Sequence, residues 1–123
     1  YMVDAKKYQI AANYARKALE VDSKNGLAYF ALGQAYAFAA NSIQCEDWDR
    51  QTIYWLAADN LQRAISLIDD DRTKKVIQGL LSNCVANFPS QDECFFRSKT
   101  PGAAYKVTVS WINGNTTVRE RKS

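Results

Sequence analysis

Residues 27–40 constrain the fold of this chain most, because they form a 14-residue stretch that is apolar nearly all round. The stretch predicts a helix that must bury more than one face, so it needs neighbours on two sides. Gly33 in its middle costs about 1 kcal/mol relative to Ala, and a close helix–helix contact would offset that cost. A membrane span needs roughly 20 residues, and Gln34 interrupts this run. We therefore expect a buried helix and no membrane span.

Three further segments repeat the helical pattern around this one. We predict helices over residues 4–21, 50–68 and 73–87, and Pro89 ends the last of them. Two of these helices share small and apolar side chains at positions i, i+4 and i+7: Ala11, Ala15 and Ala18 in the first, and Ala57, Leu61 and Ala64 in the second. Small side chains on one face allow a neighbouring helix to approach closely. The recurrence indicates an internal repeat of packed helices.

Residues 41–49 interrupt the helical periodicity and are predicted to form an inserted loop. The segment carries Cys45, Trp48 and three acidic residues, of which Asp47 or Asp49 could cap the following helix. Long loops in compact domains often have a function, so this one could be a recognition loop. The alternative is an insertion without a binding role that is specific to one lineage. Its acidic residues lack the D-x-D-x-D-G spacing of a calcium loop, so we expect no metal site here.

The last part of the chain changes character from helical to strand-like. Residues 90–96 predict a short turn of helix, residues 105–112 alternate like a strand, and Asn113-Gly114 is a strong hairpin signal before a return strand over 116–121. A two-stranded hairpin is marginal by itself, so it must pack on the helices. The face predicted to do so carries Tyr105, Val107, Val109 and Trp111. We predict that Trp111 anchors the hairpin and that its replacement by Ala costs roughly 3–5 kcal/mol if the ring is fully buried.

The second helix carries four residues in a register that resembles a known repeat: Tyr29, Leu32, Gly33 and Tyr36. The spacing is similar to W-x2-L-G-x2-Y in the first helix of a tetratricopeptide repeat. In that register the two alanine-containing motifs correspond to the second helices of two successive repeats, and residues 22–25 resemble the junction between repeats. The resemblance implies an all-α superhelix of antiparallel helix pairs over residues 1–89, closed by a capping segment with a β-hairpin over residues 90–123.

The C-terminal part also resembles a bacterial group of these repeat proteins. In that group a Phe-Pro pair follows the closing helix and a W-I-N-x-T-T segment lies near the end, here Phe88-Pro89 and residues 111–117. Members of the group are often exported, which implies a periplasmic or cell-envelope location and leaves a cytoplasmic one open. The chain begins with Tyr1 rather than Met, and we expect that an upstream part with further repeats was removed.

The resemblance implies a binding groove, because the first helices of such repeats line a concave surface. The groove residues that it implies are Leu27, Phe30, Gln34, Phe38, Val76, Leu80 and Asn83. These side chains either bind a partner segment or form core beneath the hairpin. We predict a non-catalytic scaffold that binds a protein or peptide partner in this groove. The alternative is a structural module that stacks end to end with copies of itself.

Composition argues against several kinds of chemistry. The sequence has no histidine, which removes imidazole ligands and histidine acid–base catalysis. Its net charge of +3 is mild and does not require nucleic acid as a partner. Cys84 and Cys94 flank the end of the fourth helix, so they either form a disulfide or remain buried thiols, and Cys45 is unpaired in both cases. We expect no catalytic residue, no cofactor and no metal.

Overall fold

The computed structural model describes residues 2–121, with side chains from Lys7 onward; Tyr1, Lys122 and Ser123 lie outside that range. Within residues 2–121 the chain forms five helices and then one two-stranded antiparallel sheet. The elements are α1 (Met2–Val21), α2 (Gly26–Ser42), α3 (Asp47–Leu67), α4 (Asp71–Ala86), α5 (Gln91–Phe96), β1 (Ala104–Val109) and β2 (Ile112–Thr117). The prediction of a mostly helical chain with a C-terminal hairpin is confirmed. None of these helices is both long and apolar enough to cross a membrane.

Short polar side chains determine where two of the helices begin. The Asn25 side chain accepts a hydrogen bond from the backbone N–H of Ala28 at 3.1 Å, and Asp70 accepts one from the backbone N–H of Thr73 at 3.1 Å. Each bond satisfies a backbone donor that the first helical turn leaves without a partner. No more than four residues separate consecutive helices from α1 to α4, and such short connections make neighbouring helices antiparallel.

Helix α3 is the centre of the fold, because it packs against α2, α4 and both strands. Its fully buried residues include Ala57, Leu61 and Ala64. A Cβ atom added to Gly33 of α2 would lie 2.8 Å from Leu61 Cγ, so these two helices approach as closely as the sequence pattern predicts. In α1 the matching motif is covered only in part, since Ala15 is buried and Ala11 is exposed.

The predicted loop over residues 41–49 is wrong over most of its length. Helix α2 continues to Ser42 and helix α3 begins at Asp47, which leaves only residues 43–46 between them. The sequence pattern fails here because the first turn of α3 packs under the hairpin through Trp48 and meets α2 through Arg50, whose side chain donates a hydrogen bond to the Ala40 carbonyl. Its side chains therefore do not continue the small-residue spacing on which the prediction relied.

Trp48 lies in that first turn and is buried, with 5 % of its surface exposed. Its indole N–H donates a hydrogen bond to the Tyr105 hydroxyl at 3.1 Å. A buried side chain cannot contact a partner protein, so the interpretation of this segment as a recognition loop is wrong for Trp48. The predicted caps are also wrong: Glu46 is the N-cap, and Asp47 and Asp49 lie inside the first turn, where negative charge favours the helix dipole.

The hairpin turns three residues earlier than the sequence signal predicts. Val109 pairs with Ile112, so the turn is Ser110-Trp111, and the predicted turn residue Asn113 lies inside β2. Ser110 has a φ of 55° and Trp111 has no positive φ. A positive φ at the first central residue alone is the pattern of a type II′ turn, which matches the twist of the flanking strands.

Packing against α3 explains why Asn113-Gly114 does not form the turn. A two-residue turn there would pair Val107 with Glu120 and place a carboxylate on the face of β1 that packs on the helices. In the observed register Val107 pairs with Gly114. A Cβ atom on Gly114 would lie 3.0 Å from Leu56 Cδ2, so this glycine allows β2 to approach α3.

The face of the hairpin that covers α3 is largely the predicted one. Val107 and Val109 are buried and Tyr105 is half-buried. Trp111, the predicted anchor, is not on this face, because it lies in the turn. Its half-buried ring contacts the ring of Tyr36 of α2, with centroids 5.9 Å apart and an angle of 35° between the planes. The fully buried apolar side chains of the hairpin and the residue after it are Val107, Ile112 and Val118. Trp111 is only half-buried, so it does not meet the condition of full burial on which its predicted cost of about 3–5 kcal/mol depends.

The sequence predicts that the hairpin closes the end of a helical array. In the structure the hairpin packs on α3 instead. A shift of 46 residues carries Ala11 onto Ala57 and Gly33 onto Gly79. The same shift places Lys75, Gln78 and Ser82 of α4 where α2 has Tyr29, Leu32 and Tyr36. These α4 residues are exposed, and nothing lies within 4 Å of a Cβ atom added to Gly79. The face of α4 that carries these residues is therefore polar and exposed.

Candidate interaction surface

Three of the predicted groove residues are large apolar side chains that remain open to solvent. Leu27 is 64 % exposed, Val76 57 % and Phe38 39 %. The hairpin packs on α3, so it does not cover them. The interpretation of these three residues as core beneath the hairpin is therefore wrong.

The other predicted groove residues differ in burial. Phe30, Gln34 and Leu80 are half-buried, and Asn83 is exposed. Phe30 and Leu80 pack against the hydrophobic core, which accounts for their partial burial. The groove prediction thus combines side chains that support the fold with side chains that are free to contact a partner.

Gln34 and Phe38 line one pocket between α1 and α2, which we call the α1–α2 pocket. It has a volume of about 340 Å³ and is lined by Lys7, Tyr8, Ala11, Ala31, Gln34, Ala35 and Phe38. The rings of Tyr8 and Phe38 meet with centroids 5.8 Å apart and an angle of 52° between their planes. Lys7 is the charged residue of the lining. The pocket is therefore a mainly apolar site with small side chains and a single cation.

The residues that α1 contributes to this pocket are absent from the sequence-based groove. That prediction considered only first helices and so omitted Lys7, Tyr8 and Ala11. A signal for Tyr8 does exist in the sequence, because the 46-residue shift carries it onto Tyr54. An aromatic residue at matching positions of α1 and α3 indicates a shared packing role.

The α4 part of the predicted groove does not join the α1–α2 pocket, whose lining contains no α4 residue. A second cleft, of about 310 Å³, lies between α3, α4 and the segment after β2. Its lining is Ala58, Gln62, Leu81, Val85, Phe88, Arg119 and Glu120. Val76, Leu80 and Asn83 are not part of that lining, so the structure does not bring the two halves of the predicted groove together in either pocket.

A polar cluster fastens the hairpin to α3. The Thr116 hydroxyl donates to Asp59 Oδ2 at 2.5 Å, and an Arg119 guanidinium N–H lies 2.8 Å from Asp59 Oδ1. The Trp55 indole N–H donates to the Arg119 backbone carbonyl at 3.0 Å. Every partner in the cluster belongs to the protein itself, so we assign it a structural role.

The three cysteines are free thiols in the structure, with Cys84 and Cys94 buried and Cys45 half-buried. No Cys84–Cys94 disulfide is present, in agreement with the alternative of two buried thiols. Burial raises the pKa of the Cys84 thiol to about 11. Burial also raises the pKa of Cys94, as do Glu120 and Glu93, and it raises the pKa of Cys45. A protonated thiol is a poor nucleophile, so none of the three is activated for catalysis.

Two of the three acidic residues around the start of α3 have basic partners within the protein. Asp47 Oδ1 lies 3.1 Å from Arg50 Nη1, and Glu46 Oε2 lies 4.0 Å from Arg97 Nη2. Within the described part of the chain, no three His, Cys, Asp or Glu residues are grouped so that they could hold a metal ion.

The structure also exposes an aromatic pair in the short helix α5. Phe95 and Phe96 of α5 are 79 % and 81 % exposed, and their ring centroids are 6.3 Å apart. Their neighbour Cys94 is the residue of α5 that is buried, so a six-residue helix holds one side chain in the core and presents these two to solvent.

No family model matches this chain, and no curated protein or solved structure matches it.

Proposed function

We propose that this chain is a non-catalytic scaffold for protein–protein interaction that holds a partner segment on the surface of α1 and α2. The observation that carries the proposal is the α1–α2 pocket, an apolar recess of about 340 Å³ whose aromatic wall includes the partly exposed Phe38. Aromatic side chains in such recesses supply much of the affinity in protein interfaces. Helix α2 has no charged residue, so a partner segment could cover it without leaving an unpaired charge buried.

The same proposal includes a tetratricopeptide-like array for α1–α4. Three observations support it: the short antiparallel connections, the close contact at Gly33, and the 46-residue internal shift that relates α1 and α2 to α3 and α4. Arrays of this kind present binding surfaces rather than reaction centres. The raised pKa of Cys84 and the lack of histidine in the sequence favour a role without catalysis.

End-to-end self-assembly has less support. Stacking of copies through α4 would require an apolar face to be buried, whereas its outer face carries Lys75, Gln78 and Ser82, all exposed. Burial of an unpaired lysine against another copy is unfavourable.

The proposal is tested by comparing two Phe→Glu variants of the protein in affinity capture from cells that express it. Phe38→Glu places a charge in the α1–α2 pocket, and we expect it to abolish recovery of a partner that the unchanged protein retains. Phe95→Glu is the matched control, because Phe95 is more exposed and lies on α5, away from the pocket lining. Equal recovery of every partner by the unchanged protein and by Phe38→Glu would contradict the proposal.

A further inference from the structure

The exposed aromatic pair Phe95 and Phe96 is presented by a helix end of defined geometry. Ser98 follows α5 with a φ of 55°. Its backbone N–H donates to the Phe95 carbonyl at 3.0 Å, and the Lys99 backbone N–H donates to the Cys94 carbonyl at 2.8 Å. These two bonds form a Schellman motif, which satisfies the last carbonyl groups of a helix. The buried Cys94 side chain holds the other side of α5 in the core, so the pair has a fixed place on the surface.

Two cations stand beside the aromatic pair, and we call residues 95–99 the α5 tip. The Arg97 guanidinium carbon lies 5.1 Å from the centre of the Trp48 ring, and the Lys99 ammonium nitrogen lies 5.4 Å from the centre of the Tyr105 ring. Trp48 and Tyr105 are joined by a hydrogen bond beneath the hairpin. Arg97 and Lys99 are still exposed. The α5 tip therefore presents two phenylalanine rings and two positive charges to solvent together.

The part of the chain around the α5 tip is basic. Residues 94–118 contain the cations Arg97, Lys99 and Lys106 and no Asp or Glu, and all three cations are exposed. Within residues 2–121 neither Lys99 nor Lys106 forms an ion pair, and Arg97 has Glu46 as its partner at 4.0 Å. The acidic residues of α5 lie in its first turn, at the end away from the aromatic pair. The positive charge is thus available to an anionic surface.

The aromatic pair protrudes and does not line a recess. Phe95 and Phe96 are mostly exposed, and neither belongs to the lining of the α1–α2 pocket or of the second cleft. Aromatic anchors in protein interfaces lie in well-packed pockets, whereas the boundary between lipid headgroups and acyl chains accepts a protruding ring without a preformed cavity. Cations next to such rings attract anionic headgroups. Shape and charge together favour a lipid surface as the partner of the α5 tip.

We propose that the α5 tip is a membrane-contact site that binds the surface of an anionic lipid bilayer, with the rings of Phe95 and Phe96 inserted between the lipids. The cations Arg97, Lys99 and Lys106 then lie at the headgroup phosphates. This inference goes beyond the proposed function, because it concerns a different surface and a different class of partner. The contact is reversible, since two rings and three cations bury far less apolar surface than a membrane-spanning helix. No residue of the α5 tip lines the α1–α2 pocket.

Flotation with phospholipid vesicles tests the inference. The protein is mixed with vesicles of phosphatidylcholine alone, or with vesicles in which about one third of the lipid is phosphatidylglycerol. We expect binding to the anionic vesicles at low salt, weaker binding at high salt, and little binding to phosphatidylcholine alone.

Substitution of the rings measures their insertion without adding charge. The pair Phe95→Ser and Phe96→Ser should weaken binding to the anionic vesicles at least about tenfold, and the pair Phe95→Leu and Phe96→Leu should stay within about threefold of the unchanged protein. Tyr14→Ser with Leu27→Ser is the matched control, because it removes two exposed apolar side chains from α1 and α2. We expect this control to change binding by less than about threefold.

Charge reversal measures the contribution of the cations. Lys99→Glu with Lys106→Glu should weaken binding at least about 25-fold, since each cation near an anionic surface contributes a factor of about five. Lys17→Glu with Lys24→Glu makes the same change in net charge at exposed residues of α1 and the turn after it. We expect that control to weaken binding by no more than about threefold. Far-ultraviolet circular dichroism checks that every variant is folded.

Three results would overturn the inference. The first is the absence of binding to the anionic vesicles. The second is binding that the serine pair leaves unchanged, and the third is equal weakening by the two lysine pairs, which would show attraction by net charge alone. If the vesicles do not bind and capture of a protein partner depends on Phe95, the α5 tip is a protein interface and the lipid contact is rejected. The α1–α2 pocket is tested separately by Phe38→Glu, so either proposal can fail while the other stands.

Discussion

The packing of α2 on α3 makes a sharp prediction about two glycines that occupy equivalent places. We predict that Gly33→Ala destabilises the protein and that Gly79→Ala stabilises it. Ala is preferred to Gly inside a helix by about 1 kcal/mol, and this gain applies equally to both substitutions. The two variants therefore differ only in what the added methyl group meets.

At Gly33 the added Cβ would lie 2.8 Å from Leu61 Cγ, 2.9 Å from Leu61 Cδ2 and 3.0 Å from the Ala57 carbonyl oxygen. Carbon atoms in good contact are about 3.5–4.0 Å apart, and the Ala57 oxygen belongs to a helical backbone that cannot move alone. Overpacking of this kind costs about 1–3 kcal/mol. After the helix-propensity gain is subtracted, the free energy of unfolding should fall by about 1 kcal/mol.

At Gly79 nothing lies within 4 Å of the added Cβ, so the full gain of up to about 1 kcal/mol remains. Urea unfolding followed by far-ultraviolet circular dichroism measures both variants against the unchanged protein, with equal denaturant slopes as the check on two-state behaviour. If the two variants change the free energy of unfolding equally, to within about 0.5 kcal/mol, the close contact at Gly33 does not exist and the reasoning is refuted.

Three further predictions concern the hairpin, its polar cluster and a buried thiol. Trp111→Phe should lower the free energy of unfolding by less than about 1 kcal/mol, because the buried indole N–H of Trp111 has no partner among the described residues. Trp55→Phe should lower it by about 2 kcal/mol, because it removes a hydrogen bond in the core. Urea unfolding measures both variants. Asp59→Ala should lower the free energy of unfolding by about 1–2 kcal/mol, because it removes the acceptor of the Thr116 hydroxyl and the carboxylate that pairs with Arg119. Asp47→Ala, at an exposed ion pair, should change it by no more than about 0.5 kcal/mol. Burial raises the pKa of Cys84 from 9.0 to about 11, so as the pH rises the thiol loses its proton in the unfolded chain before it does so in the folded protein. The free energy of unfolding should therefore fall by about 1–2 kcal/mol between pH 9 and pH 11. The Cys84→Ala variant, measured by urea unfolding over the same pH range, should not show this decrease.

The sequence determined the helical segments and the closest helix contact, because both depend on local patterns. The apolar stretch over residues 27–40 required neighbours on two sides, and α2 has α1 and α3 there. Gly33 and the small-residue spacing in α3 predicted the close approach that is present at Leu61. Pro89 and the residues after it predicted the end of α4 and the short α5. A helix period or a turn residue acts over a few positions, so one sequence suffices to detect it.

Only the tertiary structure decided which surfaces the hairpin covers and which remain open. Asn113-Gly114 strongly favours a turn, but Gly114 lies where β2 crosses Leu56 and a larger residue would not fit. The turn therefore forms at Ser110, which adopts a positive φ. Trp48 extends α3 because it packs beneath Tyr105, a residue far along the chain. The α1–α2 pocket likewise forms from two helices whose separate sequences show no cavity. Contacts between distant residues set these features, and their energies outweigh local preferences of about 1 kcal/mol.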